Sequence, residues 1–329
     1  MRAVVVNEIN NRNAVLVTDT DAPILGPEHV LIDAVSASFN FPDVLQIDGK
    51  YQIIPPLPFI PGKEAAGVVT NVGPAVTEFD VGDRVLVEVE YGAFAEQVAA
   101  PVQRVYRLPD ELDMSTAAAM GLVYQTAYIA LTDRAGLRKG DTVLVTGATG
   151  GVGLAAVQIA KAMGATVLAA IGNPAKADAA RAAGADHVVN LFEEPLADRL
   201  REQVNVATNS RGVDIVLDVV GGDVFDAALR CIAFGGRIVV LGFTAGRIPS
   251  LKTNYVLLKN IAVVGMTVNG YFQHRPDTVR VAQDAIFALW KDGQLQPVIH
   301  TELALDDFAD GFKMLDEREA IGKIVLAIR

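Results

Sequence analysis

The stretch Thr146–Gly153 reads TGATGGVG, with four glycines in eight residues, between the apolar run Val143-Leu144-Val145 and the helix-forming LAAVQIAKAM. Ala148-x-Gly150-x-x-Gly153 follows a strand and opens a helix, the context in which a glycine pattern reads as a dinucleotide cradle. Gly150 lets the backbone approach a pyrophosphate, and the helix N-terminus offers unpaired N–H groups and a partial positive charge. Gly153 lets helix and strand pack closely. The backbone of Ala148, Thr149, Gly150, Gly151, Val152 and Gly153 is therefore the expected diphosphate site.

That turn implies a particular sheet. From residue 141 the chain alternates strands and helices: TVLVTGA, TVLAAIG, HVVNL, VDIVLDVV, RIVVLGF and NIAVVGMTV are apolar throughout rather than alternating. Such strands are buried on both faces. The reading is α/β, a doubly wound parallel sheet of about six strands. Residues before about 122 differ, with short Val- and Ile-rich runs cut by Gly, Pro, Asn and Asp, the pattern of a β-rich sandwich or partial barrel. DTVRVAQDAIFALWKDG and LDDFADGFKMLDE read as amphipathic helices, and GKIVLAI is a last strand that most simply rejoins the β-rich part. The expected domains are 1–122 with 271–329, and 123–270.

Composition narrows the partners. The chain has 329 residues and a formal net charge of −11, from 39 acids against 28 bases. Nucleic acid calls for a basic face, so none is expected as a partner. The one cysteine, Cys231, permits no intramolecular disulfide and no thiolate-based zinc site, and suits a reducing cytoplasm. No apolar run reaches the roughly 20 residues of a membrane helix. His29, His187, His274 and His300 have no ligand spacing, so no metal site is expected.

The end of the second strand bears on the cofactor. An NAD site places an acid there, about 20 residues past the glycine turn. Here the chain reads Ala170-Ile171-Gly172-Asn173-Pro174-Ala175-Lys176, with no acid before Asp178. Gly172 leaves room for a 2′-phosphate, and Lys176 and Arg181 are the cations able to neutralise it. The expected cofactor is NADP(H).

PGKEAAGVVTNVG, VGDRV, GAFAE, TGATGGVG, AKAMGATVLA and ARAAGADHVVN occur in this order. Together they resemble the medium-chain dehydrogenase/reductase superfamily, specifically its zinc-free quinone oxidoreductase (zeta-crystallin-like) branch. NFPDVLQIDGKYQ, at 40–52, is the most branch-specific segment. Zinc alcohol dehydrogenases carry a Cys ligand near residue 40 and a His in a Gly-His-Glu motif. This chain reads Ser36-Ala37-Ser38-Phe39-Asn40 and Gly62-Lys63-Glu64, and keeps only Glu88-Val89-Glu90-Tyr91 of the cysteine-rich lobe.

The resemblance implies a GroES-like β-rich catalytic domain beside a Rossmann domain, and a homodimer formed through the strand near 261–268. It implies an active site around Asn40, which would orient the nicotinamide or the acceptor, with Asp43 three residues on. Asp43 reads equally as a helix cap. Tyr51 is the candidate proton donor or aromatic wall. Thr126, Phe243, Thr244, Met266, Thr267 and Val268 are expected beside the cofactor. Arg318 and Lys323 either reach the cofactor or are surface cations. Leu45 and Leu191 stand where the family often has tyrosines, near the acceptor and near the 2′-phosphate.

Without a metal, either hydrogen-bond donors polarise the carbonyl or the acceptor is already electron-poor; quinones and conjugated enones fit, plain alcohols and ketones poorly. The implied function is an NADPH-dependent reductase of quinones or other conjugated carbonyls. The alternatives are an enoyl- or acryloyl-CoA-type reductase, and a non-enzymatic NADPH-binding protein.

Overall fold

β-Branched runs separated by turn residues form the first seven strands: β1 (Arg2–Val6), β2 (Val15–Asp19), β3 (His29–Ser38), β4 (Glu64–Val72), β5 (Arg84–Glu88), β6 (Gln97–Pro101) and β7 (Val105–Arg107). The structure, a computed structural model, describes residues 1–329. Along β3 buried and half-buried positions alternate, as a sheet with one face on a core requires. That core gathers Val30, Ile32, Phe39, Val69, Val85, Phe94 and Phe312. Phe39 sits with its ring centroid 4.7 Å from Phe94 and 5.1 Å from Phe312.

The second group is β8 (Thr142–Thr146), β9 (Thr166–Ile171), β10 (His187–Asn190), β11 (Val213–Asp218), β12 (Ile232–Val240) and β13 (Ala262–Gly265). Their order is β10-β9-β8-β11-β12-β13, and every neighbouring pair is parallel. This is the doubly wound order that reverses beside the first strand of the unit. All five residues of β8 are buried, which explains why the sequence there is apolar without alternation.

The chain then returns. β14 (Ile299–Ala304) and β15 (Lys323–Ala327) pair in parallel, and β15 lies antiparallel to β3. The resulting sheet runs β14-β15-β3-β4-β5-β7, with β6 also on β3. The lone C-terminal strand thus rejoins the β-rich sheet. β14 is an addition that the sequence reading did not contain. Its IHTELA alternates half-buried with exposed residues and has little apolar signal.

Two compact units result, Met1–Leu122 with Pro297–Arg329, and Val123–Gln296. This corrects the expectation that 271–329 would join the β-rich unit, because 271–296 belongs with the parallel sheet. The helix Pro276–Lys291 buries Val279, Ala282, Gln283, Ile286 and Phe287. Gln283 accepts from Gln125 Nε2 at 2.9 Å, and Gln158 bonds both to the carbonyl (2.7 Å) and to the N–H (2.9 Å) of Gln296. Amphipathic spacing showed that this helix has a buried face, but could not say which sheet covers it.

Two glycines separate packing from open space. A Cβ on Gly153 would overlap the Gly147 carbonyl oxygen and approach Ala148 Cα to 2.7 Å. A Cβ on Gly172 would meet nothing within 4 Å. Gly153→Ala is expected to lower stability by about 1–3 kcal/mol, and Gly172→Ala to stay within about 0.5 kcal/mol. Urea denaturation of both variants checks this, and an unchanged midpoint for Gly153→Ala would refute the close-packing role.

Candidate functional site

β8 ends at Thr146, and Gly147 turns the chain with φ 60°, where a side chain would press on Val219. Gly150 is the N-cap of the helix Gly151–Ala162 and supplies no side-chain cap. The first-turn N–H groups of a helix have no intrahelical acceptor, and here no side chain satisfies them. A Cβ on Gly150 would meet only the Gly147 carbonyl oxygen, at 3.6 Å. The space in front of this residue is thus left open by the protein itself, and an anion fits it.

The neighbouring turn is tied to this one. Thr146 Oγ1 donates to Asp218 Oδ1 at 2.8 Å and accepts from the Val219 N–H at 3.1 Å. Asp218 also accepts from the N–H groups of Val220 (3.3 Å) and Gly221 (3.1 Å). Burial raises the Asp218 pKa, and the hydrogen bonds from Thr146, Gly221 and Val220 oppose that rise. Thr244 donates from its hydroxyl to the Val219 carbonyl at 3.1 Å, so one of the expected cofactor residues braces this turn. Phe243 beside it is exposed.

At the end of β9, Gly172 is exposed and the short 3₁₀ turn Pro174–Lys176 follows, capped by the Asn173 side chain. Lys176 is half-buried. Arg181 is exposed and paired with Asp178 at 2.8 Å, which lowers its value as a free phosphate ligand. Thr126 is half-buried on the helix Leu122–Ile129. Met266 and Val268 are buried, and only Thr267 of that trio is exposed. Arg318 is exposed just beyond the helix Phe308–Asp316, with φ 56°.

In the β-rich unit the structure corrects the reading of Lys323. It is 4% exposed, and its ammonium donates to the Phe39 carbonyl (2.7 Å), Asn40 Oδ1 (2.7 Å) and Glu64 Oε1 (2.9 Å). Lys323 is not a surface cation. It is the internal counter-ion of Glu64. Glu64 also accepts from Ser38 Oγ (2.6 Å), Asn40 Nδ2 (2.9 Å) and the Leu122 N–H (2.7 Å). Asn40 therefore spends both its amide donor and its carbonyl on this network, and its orientation is fixed by it. In the sequence Glu64 stands out only as part of Gly62-Lys63-Glu64. Its signal was a charged residue opening the apolar strand β4.

Asp43 lies on the helix Phe41–Ile47, and its Oδ2 accepts from the Asn40 N–H at 2.7 Å. The capping role is thus present. Its other oxygen, Oδ1, is buried without a hydrogen-bond partner. Burial pushes the Asp43 pKa up to about 7, against the pull of Lys63, the Asn40 N–H and Lys323. Tyr51 follows the same helix, its N–H donating to the Leu45 carbonyl at 3.1 Å. Its phenol is pushed up to about 12, by burial and by the negative charges of Glu90 and Asp43. Lys63 is 3% exposed, donates to Glu90 at its carbonyl (2.8 Å) and at Oε1 (2.6 Å), and stands 4.7 Å from the Tyr51 ring centroid. The sequence reading gave Lys63 and Glu90 no such role. Only tertiary pairing reveals it.

Asp43 makes stability depend on pH. The folded group keeps its proton to about pH 7, whereas an ordinary aspartate loses it near 3.8. Between those values the folded state binds more protons, so stability falls as pH rises through the window. Asp43→Asn keeps an acceptor for the Asn40 N–H and removes the ionisation. From pH 4 to pH 8 the variant should therefore gain on the wild type by on the order of 1–4 kcal/mol. Denaturation curves across that range check it, and parallel profiles would mean that folded Asp43 is already ionised at low pH.

Two family profiles match the chain. "Alcohol dehydrogenase GroES-like domain" covers residues 26–110, and "Zinc-binding dehydrogenase" covers residues 151–284. Despite the second name, the chain brings together no three His, Cys, Asp or Glu side chains able to hold an ion. The quinone oxidoreductase-like protein 2 homolog of Nematostella vectensis is 36% identical over 328 residues, 99% of this chain and 88% of the relative. Human quinone oxidoreductase is 32% identical over 331 residues, 100% of this chain and 98% of the relative. The crystal structure of Escherichia coli quinone oxidoreductase complexed with NADPH matches with a TM-score of 0.91 at 26% identity, covering 100% of both chains. With a GroES-like unit, a Rossmann sheet and full-length relatives above 30% identity, the chain belongs to the medium-chain dehydrogenase/reductase superfamily, in its quinone oxidoreductase branch.

Proposed function

We propose that this oxidoreductase uses NADPH to reduce quinones or other conjugated carbonyls. The observation that carries the cofactor half is the open cradle at Gly150, whose Cβ direction the protein leaves vacant beside an uncapped helix N-terminus. The amides of Gly151–Gly153 would hold the diphosphate. Gly172 would face the adenosine ribose, with Lys176 the cation for a 2′-phosphate. The relative solved with NADPH supports the choice of phosphate form. When bound, the reduced nicotinamide supplies a hydride.

The protein's own part is orientation and proton supply. Asn40, held by Glu64 and Lys323, is rigid enough to orient a bound ring. Tyr51 is the proton donor. Its phenol, pushed up to about 12, stays protonated at working pH. Asp43 holds the start of its helix through the Asn40 N–H. With no ligand set for a metal, a carbonyl is polarised only by hydrogen-bond donors, which favours acceptors that are electron-poor in themselves.

The expected assembly is a homodimer through β13. That strand is the edge of its sheet, and the helix before it, Thr253–Lys259, exposes Leu257 at 76% and Leu258 at 74%. Unpaired apolar edges of this kind are normally covered. Cys231 is buried and free, in keeping with a reducing cytoplasm.

NADPH and NADH oxidation measured against quinones, enones and enoyl-CoA esters tests the reading. Turnover confined to enoyl-CoA esters would move the chain to the enoyl-reductase class, and tight NADPH binding without any turnover would make it a binding protein. Lys176→Ala should raise KM for NADPH by about tenfold and leave that for NADH nearly unchanged. An equal effect on both would remove Lys176 from the 2′-phosphate. Gly150→Ala, whose φ of −81° suits alanine, should fold normally and weaken binding of both cofactors, as titration of either cofactor by fluorescence would show.

A further inference from the structure

Lys63 occupies a place where burial of a charge needs a reason. Its side chain is 4% exposed, and its ion pair is with a carboxylate, Glu90, that is itself 21% exposed. Glu90 is steadied from the other side by Gln46 Nε2, which donates to its carbonyl at 3.3 Å. Gln46 and Tyr51 are both anchored to the helix Phe41–Ile47, the latter through Leu45. The ammonium and the phenol ring are thus fixed relative to each other, at 4.7 Å from nitrogen to ring centroid. In the zinc-dependent relatives the Gly-His-Glu motif puts a metal ligand at this position, whereas this chain puts a cation there.

We propose that Lys63 is the positioning residue for Tyr51, its ammonium held by Glu90 over the phenol ring to stabilise the phenolate formed when Tyr51 protonates a reduced enone. The inference rests on the reading of Tyr51 as proton donor. The β-carbon of the enone accepts a hydride, with its electron pair, from the reduced nicotinamide dinucleotide, and the enolate carries the negative charge. The Tyr51 O–H bond breaks, the proton goes to the enolate, and the O–H electron pair stays on the phenolate. Water then returns a proton to Tyr51. Asp43 and Glu90 oppose the phenolate and a hydrogen bond with the Gln52 side chain favours it, while Lys63 is the cation beside the ring, 4.7 Å from its centroid. A π-system over a desolvated ammonium is attracted to it, and the attraction grows when the ring becomes an anion.

Acceptors differ in how much they need this. A quinone reduced by hydride gives a hydroquinone anion that is weakly basic, whereas an enone gives a strongly basic enolate. Tyr51 and Lys63 should therefore matter for enones far more than for quinones.

The experiment is a double-mutant cycle read with both acceptors. Tyr51→Phe should lower kcat for an enone by about a hundredfold and for a quinone by no more than about threefold. Lys63→Gln and Lys63→Met should each lower the enone kcat by about tenfold, Lys63→Arg should largely restore it, and in the Tyr51→Phe background neither neutral change should add anything. A second readout needs no turnover. A fluorinated tyrosine at position 51, titrated by ¹⁹F NMR in the cofactor-free protein, should ionise at higher pH when Lys63 is neutral and at nearly the wild-type pH in Lys63→Arg. If Tyr51→Phe costs nothing on enones, the proton-donor reading fails. If Tyr51→Phe costs activity but the Lys63 effects are additive with it, or the fluorotyrosine titration does not move, Lys63 is only a structural ion pair and this inference fails alone.

Discussion

Glu64 is fully buried, and its two oxygens accept from Ser38, Asn40, Lys323 and the Leu122 N–H. A carboxylate without water must find that many donors or lose its charge. The four donors come from the end of β3, the start of the next helix, the C-terminal strand and residue 122. One charge thereby ties together segments nearly 260 residues apart in sequence. Such a pair adds little to stability compared with an apolar replacement. Losing one partner is a different matter, costing about 3–5 kcal/mol because the other charge is stranded. What the pair supplies is position. Asn40 has nowhere to rotate, and the helix that carries Asp43 and leads to Tyr51 starts at a fixed angle. A cross-strand neighbour tightens this further. Glu64 and Glu88 are register partners on β4 and β5, and a Cβ on Gly121 would overlap Glu64 Oε2 and come within 2.7 Å of Glu88 Oε1. The glycine is there so that the backbone can close over these carboxylates.

Much of the fold was legible because it rests on local signals. Uninterrupted apolar runs gave the six parallel strands, since a strand covered on both faces tolerates no polar residue, and TGATGGVG marked the turn after the first of them. The close packing at Gly153 and the open space at Gly150 are what that spacing implies. The long-range choices were not legible. The helix Pro276–Lys291 has an apolar face that either sheet could cover, and the contacts made by Gln125 and Gln158 decide it. β14 pairs at a sheet edge and buries so little that its sequence looks like loop. Lys323 shows the same limit at the site. Near the C-terminus a lysine beside glycine reads as a surface cation or a cofactor contact, and only the pairing of β15 with β3 brings it to Glu64.

The two units use opposite strategies toward charge. The glycine turn is built from backbone, with an uncapped helix end, so its positive potential is fixed and cannot titrate. The β-rich unit concentrates side-chain charge instead: Asp43, Lys63, Glu64, Glu90 and Lys323 lie on the helix Phe41–Ile47, at the start of β4, just past the end of β5 and at the start of β15. Two of these carboxylates have lysines as direct partners, and the third, Asp43, is left with one oxygen unpaired and a proton affinity near neutrality. A neutral Asp43 removes one of the two negative charges that oppose ionisation of Tyr51. Burial remains the largest influence on the phenol, Glu90 still opposes its ionisation, and the Gln52 side chain and the Lys63 ammonium 4.7 Å from the ring centroid are the groups placed to offset them. Under the proposed function, a site organised this way would rely on its own hydrogen-bond donors and on Tyr51 as proton source, which suits an acceptor that is itself electron-poor.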